Sequence, residues 1–222
     1  MTKVVVVNGS PRTERGHTER ILKPFLEGMK DAGAEIDLVY TKRLKIRPCG
    51  GTLHCWNKTP GKCGIKDDMQ SVYPLLKGAD ILVLATPVYV PLPGEMQNFL
   101  NRLVPLMEPT LKKRNGRTRA RFRSDVIIRK MVLVATGGWW EKGNLETVLR
   151  IARELADDFS VEFAGALLRP HSNLLEKGGP KVDRVLRAAR ESGRELIMAG
   201  RVSERLCEEV GKPLISEAEW WR

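Results

Sequence analysis

Five residues near the start of the chain, Lys3-Val4-Val5-Val6-Val7, constrain its fold more than any others. A continuous β-branched run offers water no polar face, so it suits a parallel strand covered by helices on both sides better than a half-exposed antiparallel one. Next come Asn8-Gly9-Ser10-Pro11-Arg12-Thr13-Glu14-Arg15-Gly16-His17-Thr18, then Ile21, Leu22, Phe25, Leu26 and Met29 at helical spacing. The pattern predicts strand, turn and amphipathic helix. Thr18 is expected to cap this helix, with Glu19 in its first turn, and Pro24 to bend it by removing a backbone donor.

The turn carries the chemistry of a phosphate site. Free N–H groups at a helix start and the helix macrodipole attract an anion, and Ser10, Thr13, Thr18 and Arg12 add hydroxyls and a charge. Neither G-x-G-x-x-G nor a lysine-bearing P-loop is present. The same residues also describe a solvated βα turn whose hydroxyls only cap the helix, so the turn alone leaves both readings open.

A chain of 222 residues that is 42% hydrophobic has room for one α/β domain, with or without a tail. No apolar run approaches a membrane span and the N-terminus shows no extended apolar segment, so the expectation is a cytoplasmic protein without a membrane contact. The net charge of +11 suits a nucleic-acid binder, a membrane-surface protein or an enzyme of polyanionic substrates, and does not choose among them. Much of the excess lies between Lys112 and Lys130, opposed there only by Asp125. With Phe122 as its one aromatic and no RNA-binding module pattern, this segment reads as a solvated irregular connection or as a polyanion contact. Cys49, Cys55, Cys63 and Cys207 are too few and too irregular for a disulfide framework, so reduced thiols are expected.

Further strands are predicted at Ala34 to Tyr40, Asp80 to Ala85, Lys130 to Thr136 and Val161 to Leu168. Helical periodicity fills Asp67 to Lys77, Gly94 to Met107, Leu145 to Phe159 and Lys181 to Ala199. This β-α repetition predicts an α/β, doubly wound, three-layer sandwich with a five-stranded parallel sheet of flavodoxin-like order 2-1-3-4-5. A ligand should then sit at the switch point between the first and third strands. Residues 1 to 202 form the expected domain. Residues 203 to 222, ending in Trp220-Trp221-Arg222, form an extension that packs on the domain or on a neighbouring subunit.

Two more loops open at the same end of such a sheet. Thr86-Pro87-Val88-Tyr89-Val90-Pro91-Leu92-Pro93-Gly94 is stiffened by its prolines, and Tyr89 either stacks on a flat ring or simply packs. Thr136-Gly137-Gly138-Trp139-Trp140-Glu141-Lys142-Gly143-Asn144 pairs glycines, which permit close backbone approach, with two indoles. A phosphate turn, a stiff loop and an aromatic glycine loop together describe a cradle for flavin mononucleotide (FMN).

At these residues the chain resembles the NAD(P)H-dependent FMN reductase family, and within it the iron-sulfur flavoprotein branch. The matching residues are Gly9-Ser10-Pro11-Arg12 with His17-Thr18, Cys55-Trp56, Thr59 to Cys63, Asp67-Asp68-Met69 and Thr86 to Tyr89, continuing through Asn98 to Leu103 and Gly137-Gly138. The resemblance implies that Ser10, Arg12, His17 and Thr18 surround the FMN phosphate. Pro87, Val88, Tyr89 and Val90 would lie beside the ribityl chain and ring, and Gly137 and Gly138 near its far edge. His17 stands where the branch commonly has asparagine. The resemblance also implies a homodimer or homotetramer with flavin near the subunit interface.

In that branch the long connection from Thr41 to Lys66 holds four cysteines on a 4Fe–4S cluster. Here Cys49, Cys55 and Cys63 remain, and Thr52 stands at the second position. Threonine is a poor substitute for a thiolate, so no metal is expected; His54 as a fourth zinc ligand has the wrong spacing. The thiols could also be redox-active or touch substrate. Trp56, like Trp139, is a candidate wall or lid over a flavin, with burial against its own loop as the plain alternative.

The expected activity is an FMN-dependent oxidoreductase that takes a hydride from NADH or NADPH and passes electrons to a quinone, free flavin, nitroaromatic or ferric chelate. No catalytic residue beyond the flavin is required. Two other readings are a non-enzymatic flavodoxin-type electron carrier, which the basic charge disfavours, and a cofactor-less scaffold binding nucleic acid.

Overall fold

In a computed structural model describing residues 1–222, the valine run forms β1 (Lys3–Asn8) at the centre of a five-stranded sheet. Val4, Val5, Val6 and Val7 are all buried. β2 (Glu35–Tyr40) lies on one side of β1; β3 (Ile81–Pro87), β6 (Lys130–Thr136) and β7 (Glu162–Arg169) follow on the other, every pairing being parallel. The order β2-β1-β3-β6-β7 is the expected 2-1-3-4-5 once the two short strands of a separate hairpin are left out.

Side chains alternate across the sheet because a strand has a period of two. Val5, Val7, Leu82, Leu84, Met131 and Leu133 join one core, under α3 (Met69–Lys77), α4 (Gly94–Asn101) and α5 (Glu146–Phe159). Val4, Val6, Val83, Val132 and Val134 join the other, under α1 (His17–Asp31), α6 (Pro180–Ala199) and α7 (Glu204–Gly211). Each fully buried valine contributes about 1.5–3 kcal/mol of transfer free energy. The tail belongs to this second core through Leu206, Val210 and Leu214, and its last turn, α8 (Glu217–Trp220), opens with Ser216 in a capping box with Glu219. No helix is long and apolar enough to cross a membrane.

Three local expectations are corrected. Helix α1 starts earlier than predicted, with Gly16 as its N-cap, and runs unbroken past Pro24. The helix predicted from Gly94 to Met107 ends at Asn101 and resumes only as a 3-10 turn, Val104–Leu106, because Pro105 has no N–H to continue an α ladder. Part of the basic segment is ordered as an antiparallel hairpin, β4 (Lys112–Arg114) and β5 (Arg117–Arg119). A short helix, α2 (His54–Asn57), lies within the long cysteine connection.

Helices α1 and α6 pack in close backbone contact. A Cβ on Gly28 would lie 1.8 Å from the Arg190 carbonyl oxygen, and one on Gly193 2.0 Å from that of Phe25, so the two backbones meet glycine to backbone. Substituting Gly193→Ala should therefore force the helices apart and cost ~3 kcal/mol of unfolding free energy by overpacking. Urea denaturation of the variant beside Gly33→Ala, whose site is open but whose positive φ carries only local backbone strain, checks this.

Candidate functional site

Parallel strands bring their carboxyl ends to one edge, and here β1, β3 and β6 are immediate neighbours. Backbone bonds carry the pairing into the loops: Gly9 N–H donates to the Ala85 carbonyl at 2.7 Å, and Val88 N–H to that of Thr136 at 2.8 Å. Between the loops lies a cavity of about 160 Å³. Larger hollows exist elsewhere on the surface, but this one stands at the switch point where open α/β sheets take ligands.

The turn after β1 is built by its own side chains. Asn8, fully buried, accepts the Ser10 N–H on Oδ1 at 2.8 Å and donates from Nδ2 to Glu19 at 3.0 Å; Ser10 Oγ accepts the Arg12 N–H at 3.3 Å. Thr13 is held at φ +50°, a costly conformation for a threonine. A Cβ on Gly16 would sit 2.3 Å from Ser10 Oγ, so only glycine lets the turn close over Ser10. The result directs the first N–H groups of α1 and the Arg12 side chain toward one anion-sized space. The Arg12 guanidinium makes no ion pair within the protein, whereas Arg43 nearby is neutralised by Glu14 at 2.6 Å.

Of the residues named from sequence, Ser10, Arg12, His17, Thr18, Pro87, Val88, Tyr89 and Gly138 line this cavity. Their roles need adjustment. Thr18 caps nothing: its hydroxyl is buried against that of Thr136 at 2.8 Å, tying α1 to β6. Within that pair one hydroxyl donates to the other, leaving one hydrogen for a ligand. His17 Nε2 lies 3.1 Å from Glu176, so the imidazole is engaged at the rim. Val88 and Tyr89 N–H groups bond to Thr136 and Pro91 carbonyls and are not open donors. Val90, 99% exposed, and Trp139, 71% exposed, stand outside the cavity, and Gly137 is spent on backbone bonds to Arg169 and Ser172. Trp56 is no wall of it either: its indole donates to the Val104 carbonyl at 2.9 Å beneath the cysteine loop.

Residues 2–150 match the family described as NADPH-dependent FMN reductase. The chain belongs to that family. Among its relatives are iron-sulfur flavoproteins of Archaeoglobus fulgidus, 34% identical over 116 residues, and Methanosarcina thermophila, 30% identical over 114 residues, each match covering 51% of this chain. These alignments take in 51% and 58% of the relatives, so the chain spans about half the length of the curated relatives it matches. In structure it is similar to an NAD(P)H:quinone oxidoreductase from Methanothermobacter marburgensis, with a TM-score of 0.64 at 17% identity, over 88% of this chain and 96% of that one. An FMN-dependent NADH-azoreductase from Bacillus anthracis gives 0.62 at 14% identity, over 89% and 100%. These likenesses confirm the flavodoxin-like fold.

The cysteine loop of this FMN reductase family member is anchored by a buried ion pair. Arg102 and Asp67, with side chains 1% and 4% exposed, meet in a fork at 2.6 and 3.0 Å, and Arg102 also donates to the Arg47 carbonyl at 2.8 Å. Burial opposes the Asp67 charge, but Arg102 and the N–H groups of Arg47 and Met69 outweigh it and hold the carboxyl below its usual range. Cys49, Thr52, His54, Cys55 and Cys63 line a hollow of about 570 Å³ above this anchor. Three thiols and a hydroxyl fall one thiolate short of a four-cysteine cluster set, and no three His, Cys, Asp or Glu side chains are grouped to share an ion. The donor set does not fit the cluster. Burial first, then Cys63, raises the Cys55 thiol, which keeps it protonated and a poor nucleophile.

Sequence reading missed the fourth wall. Ser172 lines the cavity, and the strand end before it, Arg169 to His171, is wholly buried. Arg169 has no carboxylate partner: its guanidinium donates to the carbonyls of Pro170, Val210 and Lys212 and to His171 Nε2, all within 2.9 Å. Because Nε2 accepts from Arg169 and from Leu214 N–H, the proton of the neutral ring lies on Nδ1, facing the Trp140 carbonyl at 3.3 Å. His171 and Ser172 N–H groups then bond the Trp139 and Gly137 carbonyls at 2.7 and 2.8 Å. The tail thus braces the glycine loop beside the cavity. The polar residues His171 and Ser172 just past the last predicted strand were the available but faint signal.

Burial and the Arg169 charge lower the His171 pKa from 6.5 to about 4. The unfolded chain therefore takes up a proton on this ring before the native state does. Native stability should fall as pH drops from about 6.5 toward 4, by ~3 kcal/mol for this group in full. Urea unfolding across that window, with His171→Gln showing the shallower slope, measures it.

Proposed function

We propose that the chain binds FMN with its phosphate in the turn after β1 and acts as an oxidoreductase that receives reducing equivalents from NADH or NADPH and delivers them to a small acceptor. The observation carrying this reading is the convergence of Ser10, Arg12, Pro87, Tyr89 and Gly138 on one cavity at the carboxyl edge of β1, β3 and β6, in a member of an FMN reductase family. When bound, FMN supplies the hydride acceptor and electron donor that the reaction needs.

The chain's own part is positioning. Arg12 and the first N–H groups of α1 supply charge-assisted donors to a phosphate, and Ser10 holds the turn in shape for them. Pro87 and Val88 are fixed against β6 by the Val88 to Thr136 bond, which gives a ring a rigid edge to rest on. The N–H groups of Val90 and Gly138 have no acceptor within the protein and remain open to a ligand's polar rim. Tyr89, 57% exposed, together with Val90 and Trp139 forms an apolar rim whose burial against a second copy would complete the pocket and exclude water. A quinone fits such an open, aromatic-edged site; the structurally similar proteins include a quinone oxidoreductase and an azoreductase.

The test begins with FMN titration of the apoprotein followed by anaerobic addition of NADPH or NADH. One FMN per chain and loss of the flavin absorption band are expected. Substituting Arg12→Ala should weaken FMN binding by ~10-fold or more, the value of one charge-assisted hydrogen bond, while leaving the unfolding midpoint unchanged. Failure to bind FMN would end the proposal; binding without reduction by either nucleotide would leave a carrier.

A further inference from the structure

The hairpin of β4 and β5 breaks a rule of sheet stability. Its register opposes Lys112 to Arg119 and Arg114 to Arg117, around a turn with Asn115 at φ +47° and Gly116 at φ +76°. Directly opposed residues in an antiparallel pair share a face, as do residues two apart, so all four cations project from one face while Lys113 and Thr118 occupy the other. Like charges set directly opposite one another destabilise a hairpin. A cost of this kind in an otherwise regular element points to a function.

That face looks onto α5, which presents Arg150, Arg153, Glu154 and Asp157 at helical spacing. Between hairpin and helix lies a cleft of about 300 Å³ with no apolar residue in its lining. Glu154 takes Arg117, Arg119 and Arg150 at 2.7, 2.5 and 2.7 Å, and Arg119 also faces Asp157 and Asp158 at 3.9 and 3.5 Å. One carboxylate cannot neutralise three guanidinium groups, but it can fix their directions. Arg114 spends its bonds on the neutral carbonyls of Ala120 and Asp157, and Arg153 lies over the Phe163 ring at 5.8 Å, so neither has a carboxylate partner. Five arginines against Glu154 and Asp157 in the lining and Asp158 just outside it, 3.5 Å from Arg119, leave two positive charges in excess.

We propose that this cleft binds a compact oligophosphate anion. Guanidinium forks match phosphate oxygens in pairs, and an excess of about two charges, with five forks around one polar cleft, suits a short phosphate chain better than a single monoanion. The site is separate from the cavity after β1: Glu154 and Asp157 lie two or more turns along α5 from its start, toward the amino edge of the sheet. It therefore does not depend on the flavin reading. The same phosphate chain could arrive free or as part of a nucleotide.

Inorganic tripolyphosphate is the probe, titrated calorimetrically into FMN-treated protein at low and high salt. One anion per chain is expected at low salt, weakening steeply as salt rises. The double variant Arg117→Gln/Arg153→Gln should lose at least ~10-fold in affinity with FMN binding unchanged, and Asp157→Asn, which removes an opposing charge, should bind more tightly. ATP run in parallel identifies the source: equal affinity supports the free chain, tighter binding a nucleotide. No binding heat, an affinity unchanged in the double variant, loss of binding in Arg12→Ala instead, or binding of a single-stranded RNA with none of tripolyphosphate would each overturn the proposal.

Discussion

Two-sided burial of β1 is the constraint on which the rest of the structure depends. A strand without a polar face can satisfy its backbone only between other strands and its side chains only between two helical layers. That goes with parallel pairing through crossover connections, and parallel strands present every carboxyl end at one edge. The loops after β1, β3 and β6 are therefore neighbours before any of their residues is chosen. Specific side chains only decide what this meeting point can hold.

The polar groups buried around that edge follow a different logic. Arg102 is compensated by Asp67 in a bidentate pair and anchors a connection with little regular structure of its own. Arg169 has carbonyl oxygens and a neutral imidazole in place of a carboxylate, and burial brings its pKa down to about 10. The partial charges of three backbone carbonyls converge on it in place of a full negative charge. Both arginines convert irregular chain into rigid wall, since moving either segment would strand a buried cation.

What was legible in the sequence was what periodicity and local chemistry encode. The valine run, the helical stripes and the three loops gave the sheet order, and eight of the ten residues named for the cofactor do line one cavity. Val90 and Gly137 do not line it; for Gly137 the reason is that a loop residue's direction is set by tertiary bonds, here to Arg169 and Ser172, some thirty positions away. Thr18 looked like a cap because caps and buried hydroxyl pairs use the same residue type; only the proximity of Thr136 separates them. The basic hairpin was hidden because its strands are three residues each, too short for alternation to show.

The family match stops at residue 150, yet the pocket does not. Ser172 supplies one wall, and the glycine loop that supplies another is bonded to residues 169 to 172, which are held in turn by the carbonyls of Val210 and Lys212 and the N–H of Leu214. These links are buried or partly buried hydrogen bonds whose loss leaves an unpaired polar group, so loosening the tail costs the loop its geometry as well as its contacts. Stacking of Trp140 on His171 at 4.8 Å, with Trp220 at 6.3 Å from Trp140, adds apolar contact to the same joint. The last third of the chain is therefore part of the site in energetic terms.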